Sequence, residues 1–409
     1  MLSKNTNNYA PLLMVIYFAF AILFPLLSLF STLLLCSFVR LTAKQRVIMY
    51  FLLAYSIACF GYFYERTNDT GDLSRYLLSY DNYVAAFENR TFLVENIYEA
   101  FYPVWYSLFY FLAYFDLEIQ HLTFISGFVI YFSMFYVVHL LSNNYEINSI
   151  KIEGRLILKI VLFFSIFVIF SSYRNLMAFS LAFLGTFLVL AENKRLTGWG
   201  LIIISLGIHP ISWFAVVSLL VSKFKICTKR IFFLFLMFGL LFPFVSKFSV
   251  VLLSVPFLGE KINTYILGQW GTYRFHENGE FIRFTLLLAV WAFIFFYMSF
   301  IYRPIKKGVS TYLCNYNNFL AWFLSFAVIF ITLRTFSMRL FLDGFVFVIP
   351  FAFNFLYNRF TYKKDAIIYI LVIIWFFMVD LRGFNYGNEG YQVGAGFPEN
   401  LLSSFFISV

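Results

Sequence analysis

Asp69 and Asp72 lie three residues apart in a polar stretch that also carries Arg75, Tyr76, Tyr80 and Tyr83. Paired carboxylates suit a metal ion or acid–base work. One pair in a polar stretch does not define a metal centre, and no metal is expected. A tyrosine ring offers a flat apolar face and a hydroxyl, and carboxylates accept hydrogen bonds from hydroxyl groups. Asp69, Tyr76 and Tyr80 are therefore candidates for holding a carbohydrate. The same residues also fit a solvated linker held by surface ion pairs.

Arg174 interrupts an apolar stretch within Ser171-Ser172-Tyr173-Arg174-Asn175. An arginine at membrane depth is costly unless it reaches the interface or a partner. A planar guanidinium also grips phosphate in a bidentate way. Arg174 is thus an anion clamp or the mark of a helix–helix turn. Arg334 and Arg339 lie between two apolar runs, and Asp343 follows Arg339 at i,i+4, where it is placed to pair. These arginines form a structural pair with Asp343, or they join Arg174 and Arg75 in a diphosphate site. Arg274 and Arg283 could add to it. His209 sits in the apolar run Leu206-Gly207-Ile208-His209-Pro210. Histidine titrates near neutrality and can take a proton from a hydroxyl. A lone histidine in such a run is also often a satisfied core group. His209 and Asp72 are the two candidate bases, and the choice between them stays open.

The elements that must position these residues follow from composition. The chain has 409 residues, 62% hydrophobic and 12% charged. A soluble domain is about 45–50% apolar and about 25% charged. A cytosolic enzyme, a secreted module and a disordered chain are excluded, and a polytopic membrane protein remains. The net charge of +10 falls in short Lys/Arg blocks between apolar runs, where it reads as a topology signal rather than a nucleic-acid patch. Cys36, Cys59, Cys227 and Cys314 match no metal or redox spacing. Nucleotide-binding, zinc-protease and nucleophile-elbow motifs are absent. A substrate for this chain would have to arrive already activated, and no cofactor is expected.

A spanning helix needs about 20 apolar residues. The runs that qualify, or nearly do, are 11–38, 47–62, 100–115, 122–142, 156–172, 176–192, 200–222, 231–254, 283–301, 318–333, 338–357 and 366–380. They are continuous, which favours helices over the alternating strands of a barrel. The run 11–38 is also too long for a signal-peptide core. The whole of 1–409 reads as one integral membrane domain, with the Gly-rich stretch 382–397 as a polar terminus. The outer loops 63–99 and 255–282 are its candidate substrate-binding elements. Leu73, Tyr76, Leu77 and Tyr80 recur at helical spacing, so the first loop should hold an amphipathic surface helix.

Four basic blocks look cytoplasmic: Arg40–Arg46, Lys223–Arg230, Arg303–Lys307 and Arg359–Lys364. Simple alternation through all the runs satisfies these four. It also strands Lys151, Arg155, Lys194 and Arg195 on the outer side, against the positive-inside tendency. Two parity breaks repair this. In one, 100–115 or 122–142 does not fully cross. In the other, 200–222 is a broken, re-entrant pair around His209-Pro210, since proline disrupts a helix interior and broken helices are tolerated along a cavity. The alternative is ordinary spans throughout, with a few misplaced charges.

At this point the chain resembles the bacterial polysaccharide polymerases of the Wzy and EpsG type. The similar elements are Asp72-Leu73-Ser74-Arg75-Tyr76 with Tyr80 and Tyr83, then Glu99-Ala100-Phe101-Tyr102-Pro103, and Tyr173-Arg174-Asn175 with Ala178. His209-Pro210-Ile211-Ser212 and the late Arg339 complete the series. Asn175 stands where such proteins typically carry Gln, and Ile211 is inserted before Ser212. The resemblance implies an all-α polytopic membrane protein with a GT-C-like fold and about 10–12 transmembrane helices. It implies a glycosyltransferase that joins undecaprenyl-diphosphate-linked oligosaccharide repeat units at the periplasmic face of the bacterial inner membrane. Under it, Arg174 and Arg339, with Arg75 and Arg334 behind them, would hold the diphosphate. A chain-length regulator and a flippase are the implied partners. A flippase of the same lipid-linked units would show two similar halves. A ligase would show a larger late outer loop, and a solute transporter would not need 63–99.

Overall fold

The structure is a computed structural model. It describes residues 10–25, 27–29, 31–32, 42–62, 64–66, 72–88, 101–143, 149–164, 173–245, 292–293, 296–301, 309–331, 334–341, 343–353 and 391–393. Asp69, the loop 255–282 with Arg274, Arg283, and the run 366–380 lie outside the described residues, as do the side chains of Asp72, Arg75 and Arg334. The protein is an all-α membrane protein. Among the described residues, Gln120–Asn143 and Tyr173–Leu190 are the helices long and apolar enough to cross a membrane by length and composition. The chain divides into two compact units: Met1–Leu181 with Gly207–His209 and Ala352–Val409, and Ala182–Leu206 with Pro210–Phe351.

In the first unit, α1 (Ala10–Leu23) stops just before Pro25, which disfavours helical backbone in the residue ahead of it. Tyr17 Oη lies 2.7 Å from Ser31 Oγ, so the chain folds back and 11–38 is not one straight helix. The next two helices are α2 (Ala43–Tyr62) and, further along the chain, α5 (Gln120–Asn143). They pack antiparallel: Thr123 Oγ1 donates to Gly61 O at 2.6 Å, and Arg46 Nη2 donates to Asn143 Oδ1 at 2.7 Å. Aromatic pairs fill the seam between, including Phe51 with Phe128 and Tyr55 with Phe124. Phe-rich α5 is apolar around its whole circumference, as a helix buried among others or in lipid must be.

Between these two helices the chain forms α3 (Asp72–Glu88) and α4 (Pro103–Tyr114). The expected amphipathic helix exists, but its stripe is rotated. Tyr76, Tyr80 and Tyr83 are buried, whereas Leu77 is 45% exposed. α4 is about 18 Å long at the helical rise, too short for a bilayer core of about 30 Å. It ends in a left-handed residue, Asp116 (φ 52°), and Leu117 N–H closes the turn onto Leu112 O at 2.9 Å. That turn delivers Glu118 to Tyr62, whose hydroxyl donates to Glu118 Oε2 at 2.8 Å. The chain therefore enters α5 at the end where it left α2. The run 100–115 thus holds a helix too short to span, and 122–142 one long enough, the pattern that the first of the two parity breaks asks for.

α6 (Ser149–Phe163) begins at the opposite end, with Glu153 beside Arg46. Phe164 follows it and meets Tyr131 halfway along α5, where the hydroxyl donates to Phe164 O at 2.5 Å. Strands β1 (Tyr64–Arg66) and β2 (Tyr391–Val393) pair antiparallel with Glu65 opposite Gln392. The stretch read as a polar terminus thus returns to the start of loop 63–99.

α7 (Tyr173–Leu190) turns at left-handed Asn193 (φ 54°) into α8 (Arg195–Ile208). A β-carbon on Gly198 would come 2.6 Å from Gly185 O, so only glycine allows this approach of the two helices. A single 3₁₀ turn, Pro210–Ser212, separates α8 from α9 (Trp213–Phe224). Lys223 Nζ lies 5.3 Å from the Trp199 ring centroid. A continuous helix would hold those residues about 36 Å apart, so α8 and α9 fold back on each other with His209-Pro210 at the tip. Each arm is about 18–21 Å long, short of the bilayer core. The run 200–222 is the broken pair around His209-Pro210 that the second parity break asks for.

In the second unit, α9 and α10 (Lys229–Val245) pack on α11 (Val309–Ile329). α12 (Arg334–Phe341) precedes a 3₁₀ turn, Asp343–Val348. The core here is aromatic: Phe187 meets Tyr316, and Phe183 meets Phe347 edge-on.

Candidate active site

Three short elements and one helix start converge in the first unit. α3 buries Tyr76, Tyr80 and Tyr83 at i, i+4 and i+7. α4 answers with Trp105, Phe109 and Leu112 at the same spacing. Pro103 opens α4, where its missing N–H goes unmissed and its fixed φ suits the first turn. That leaves Tyr102 just outside the helix, 8% exposed. Tyr173 and Arg174 begin α7. Gly207 seats the end of α8 on α4, because a β-carbon there would meet Val104 Cγ2 at 2.5 Å. The next residue but one, His209, thereby reaches Tyr102.

Arg174 is half-buried in an aromatic frame. Its Cζ lies 4.7 Å from the Tyr102 ring centroid, 5.2 Å from that of Tyr76 and 5.8 Å from that of Trp105. Each such face attracts a guanidinium by about 0.5–2 kcal/mol. The rings hold one another: Tyr76 with Trp105 at 5.2 Å, Tyr76 with Tyr173 at 5.4 Å, and Trp105 with Tyr173 at 5.6 Å. His209 stands edge-on to Tyr102 with centroids 5.5 Å apart. Tyr102 is the wall that Arg174 and His209 share. Trp105 Nε1 and Asn175 Oδ1 are buried with no hydrogen-bond partner among the described residues.

Chemically, this frame fixes a permanent cation in apolar surroundings, where charge interactions are stronger than in water. It places a proton acceptor one ring away. The aromatic walls orient the guanidinium and do not neutralise it. Among the described residues, no group of three or more His, Cys, Asp or Glu side chains could hold a metal ion.

The expected residues fall into four sets. Tyr76, Arg174 and His209 come together. Tyr80 lies beneath them, packed on Phe109, with its hydroxyl donating to Leu117 O. That bond gives Tyr80 a supporting position rather than an open platform. Burial, then the carboxylates Asp116, Asp81 and Glu118, push its phenol above the ordinary tyrosine value. Asp72 and Arg75 belong to the first turn of α3, with Asp72 one turn ahead of Tyr76. Arg334 and Arg339 belong to the second unit, at the two ends of α12. Arg339 is within electrostatic reach of buried Asp343, although the helix ends between them.

Reading the residues alone missed Tyr102, Trp105 and Gly207 as parts of the site. Pro103 flagged the start of α4 and therefore the position of Tyr102. Nothing local distinguishes Trp105 from any other aromatic in that helix.

A family model, the EpsG family, matches residues 66–392, which takes in α3, α4, the start of α7 and the hairpin tip. No curated protein matches the chain, and neither does any solved structure. With most of its length matched, and every element of the aromatic frame inside the match, this chain belongs to the EpsG family.

Proposed function

We propose that this protein is a repeat-unit polymerase that joins undecaprenyl-diphosphate-linked oligosaccharides into O-antigen or a related surface polysaccharide. Family membership supports a membrane-bound, glycosyltransferase-like polymerase. The observation that carries the finer reading is the shared wall: Arg174 and His209 flank one ring, Tyr102. An acceptor hydroxyl on the incoming unit attacks the anomeric carbon of the growing chain. The bond to the diphosphate oxygen breaks, its electron pair stays on that oxygen, and undecaprenyl diphosphate leaves. Arg174 stabilises the charge that grows on the diphosphate, where a preorganised cation acts most strongly on the transition state. His209 takes the hydroxyl proton. Asp72, one turn before Tyr76, is the other candidate for that role. Arg339, with Arg75 and Arg334, is a further candidate for binding the diphosphate, and Asp69 for binding sugar. No metal or cofactor is assigned.

The same reading sets the orientation. Lys194, Arg195, Lys223 and Lys225 flank the base of the hairpin, and Arg46 begins α2. The positive-inside tendency puts such residues in the cytoplasm. The aromatic frame then faces the periplasm from the bacterial inner membrane, in a single integral membrane domain.

Deletion of the gene, followed by complementation, tests the function on a gel of surface polysaccharide. Wild type restores the ladder, and Arg174→Ala leaves a core carrying a single repeat unit. Loss of even that unit in the deletion would point to a flippase. Accumulated lipid-linked polymer would point to a ligase. An unchanged ladder in the deletion would overturn the reading.

A further inference from the structure

The base of the α8–α9 hairpin carries six exposed cations: Lys194 and Arg195 on one turn, Lys223, Lys225, Lys229 and Arg230 on the other. Interleaved with them are large apolar side chains turned almost wholly outward: Leu196 at 90%, Phe224 at 87% and Ile226 at 76% exposure. The outward turn has a cause. α11 takes up the backbone of the second turn. Asn318 Nδ2 donates to Ser222 O at 2.7 Å and to Lys225 O at 3.0 Å, and Asn318 Oδ1 accepts from Cys227 N–H at 2.8 Å. Trp322 Nε1 donates to Lys225 O at 2.8 Å. With main-chain groups facing α11, the Phe224, Lys225 and Ile226 side chains point away from it. Lys223 against Trp199 joins the two turns into one platform.

We propose that this platform is a binding surface for anionic phospholipid headgroups of the leaflet at the hairpin's base. Apolar side chains beside cations are the make-up of a boundary between acyl chains and phosphates. Phe224, Ile226 and Leu196 enter the apolar side of that boundary, and the ammonium and guanidinium groups meet the phosphates. The platform is preorganised by Asn318 and Trp322, so little ordering opposes binding. It also has work to do. The hairpin's arms are too short to cross the bilayer, and a lipid-held base fixes the depth of a segment whose tip carries His209.

The test is native mass spectrometry of the full-length chain, purified and offered equal amounts of phosphatidylglycerol and phosphatidylcholine. Wild type retains phosphatidylglycerol preferentially, and salt weakens the preference. Lys223→Gln and Lys225→Gln, made singly so that the block stays basic and insertion is preserved, each lower the preference about fivefold, the effect of one basic residue at an anionic surface. Lys223→Arg and Lys225→Arg keep it. Equal retention of the two lipids by wild type would overturn the proposal. So would an undiminished preference in both glutamine variants.

Discussion

Two arginines of the first unit, buried Arg46 and half-buried Arg174, have surroundings that differ in kind. Arg46 Nη1 lies 3.3 Å from Glu153 Oε2, and Glu153 Oε1 lies 3.4 Å from His139 Nδ1. Asn143 closes the cluster by accepting from Arg46 Nη2 and donating to His139 Nε2, at 2.7 and 2.9 Å. The imidazole proton then sits on Nδ1, facing the carboxylate. Opposite charges meet here, and α2, α5 and α6 are tied at one point. Arg174 instead lies among aromatic faces, which attract a cation without cancelling its charge. The first arrangement spends its charges on holding helices together. The second fixes a charge in place against ring faces.

The largest expected effect breaks the first arrangement. Glu153 is fully buried. Glu153→Ala leaves Arg46 in an apolar site without its carboxylate, and breaking a buried pair in this way costs about 3–5 kcal/mol. We expect a large drop in the unfolding midpoint of the purified protein in detergent. Arg46→Met combined with Glu153→Leu should recover most of it, because removing both charges also removes the desolvation penalty. If Glu153→Ala melts like wild type, the cluster does not hold the helices and the contrast with Arg174 fails.

Arg174 should behave in the opposite sense. Arg174→Lys keeps a cation and loses the planar fork that the rings orient. Loss of one preorganised charge-stabilising group lowers a rate by about 10²–10³-fold. Polymer growth on lipid-linked repeat units, followed with purified protein, should fall by that order while the unfolding midpoint barely moves. A variant that destabilises the fold as strongly as Glu153→Ala would make Arg174 a second structural lock.

How far this contrast was legible in the sequence depended on range. Arg174 and His209 were visible because each is a polar group inside a long apolar run. The hairpin was visible because Pro210 cannot sit inside a continuous helix. The Arg46 cluster was not visible. Arg46 read as one of a basic block, and its partners lie on α5 and α6, far along the chain. The fate of 100–115 was left open for a similar reason. Its hydropathy fits a span, and only the long-range contact of Tyr62 with Glu118 brings its far end back to the end of α2. The stripe on α3 was misphased because Leu77 and Leu78 make its outer face apolar too, so hydrophobicity alone does not choose between faces. The pairing of 391–393 with 64–66 joins opposite ends of the chain and has no local signature.

The smallest expected effect sharpens the comparison by testing the floor beneath the aromatic frame. Tyr80 anchors α3 to the α4–α5 turn through its bond to Leu117 O. Tyr80→Phe keeps the ring against Phe109 and removes that bond, which is worth about 0.5–1.5 kcal/mol. The phenol's raised pKa gives the effect a sign in pH. The unfolded chain ionises Tyr80 near its ordinary value of about 10, while the folded chain still holds the proton. Above that value the folded state binds more protons, so stability falls as pH rises and is complete below it. Melting curves at about pH 8 and about pH 11, either side of that value, should therefore show a steeper loss for wild type than for Tyr80→Phe. Equal losses would mean that Tyr80 ionises alike in both states. The anchor would then be solvated, and α3 would hold the frame through ring packing alone.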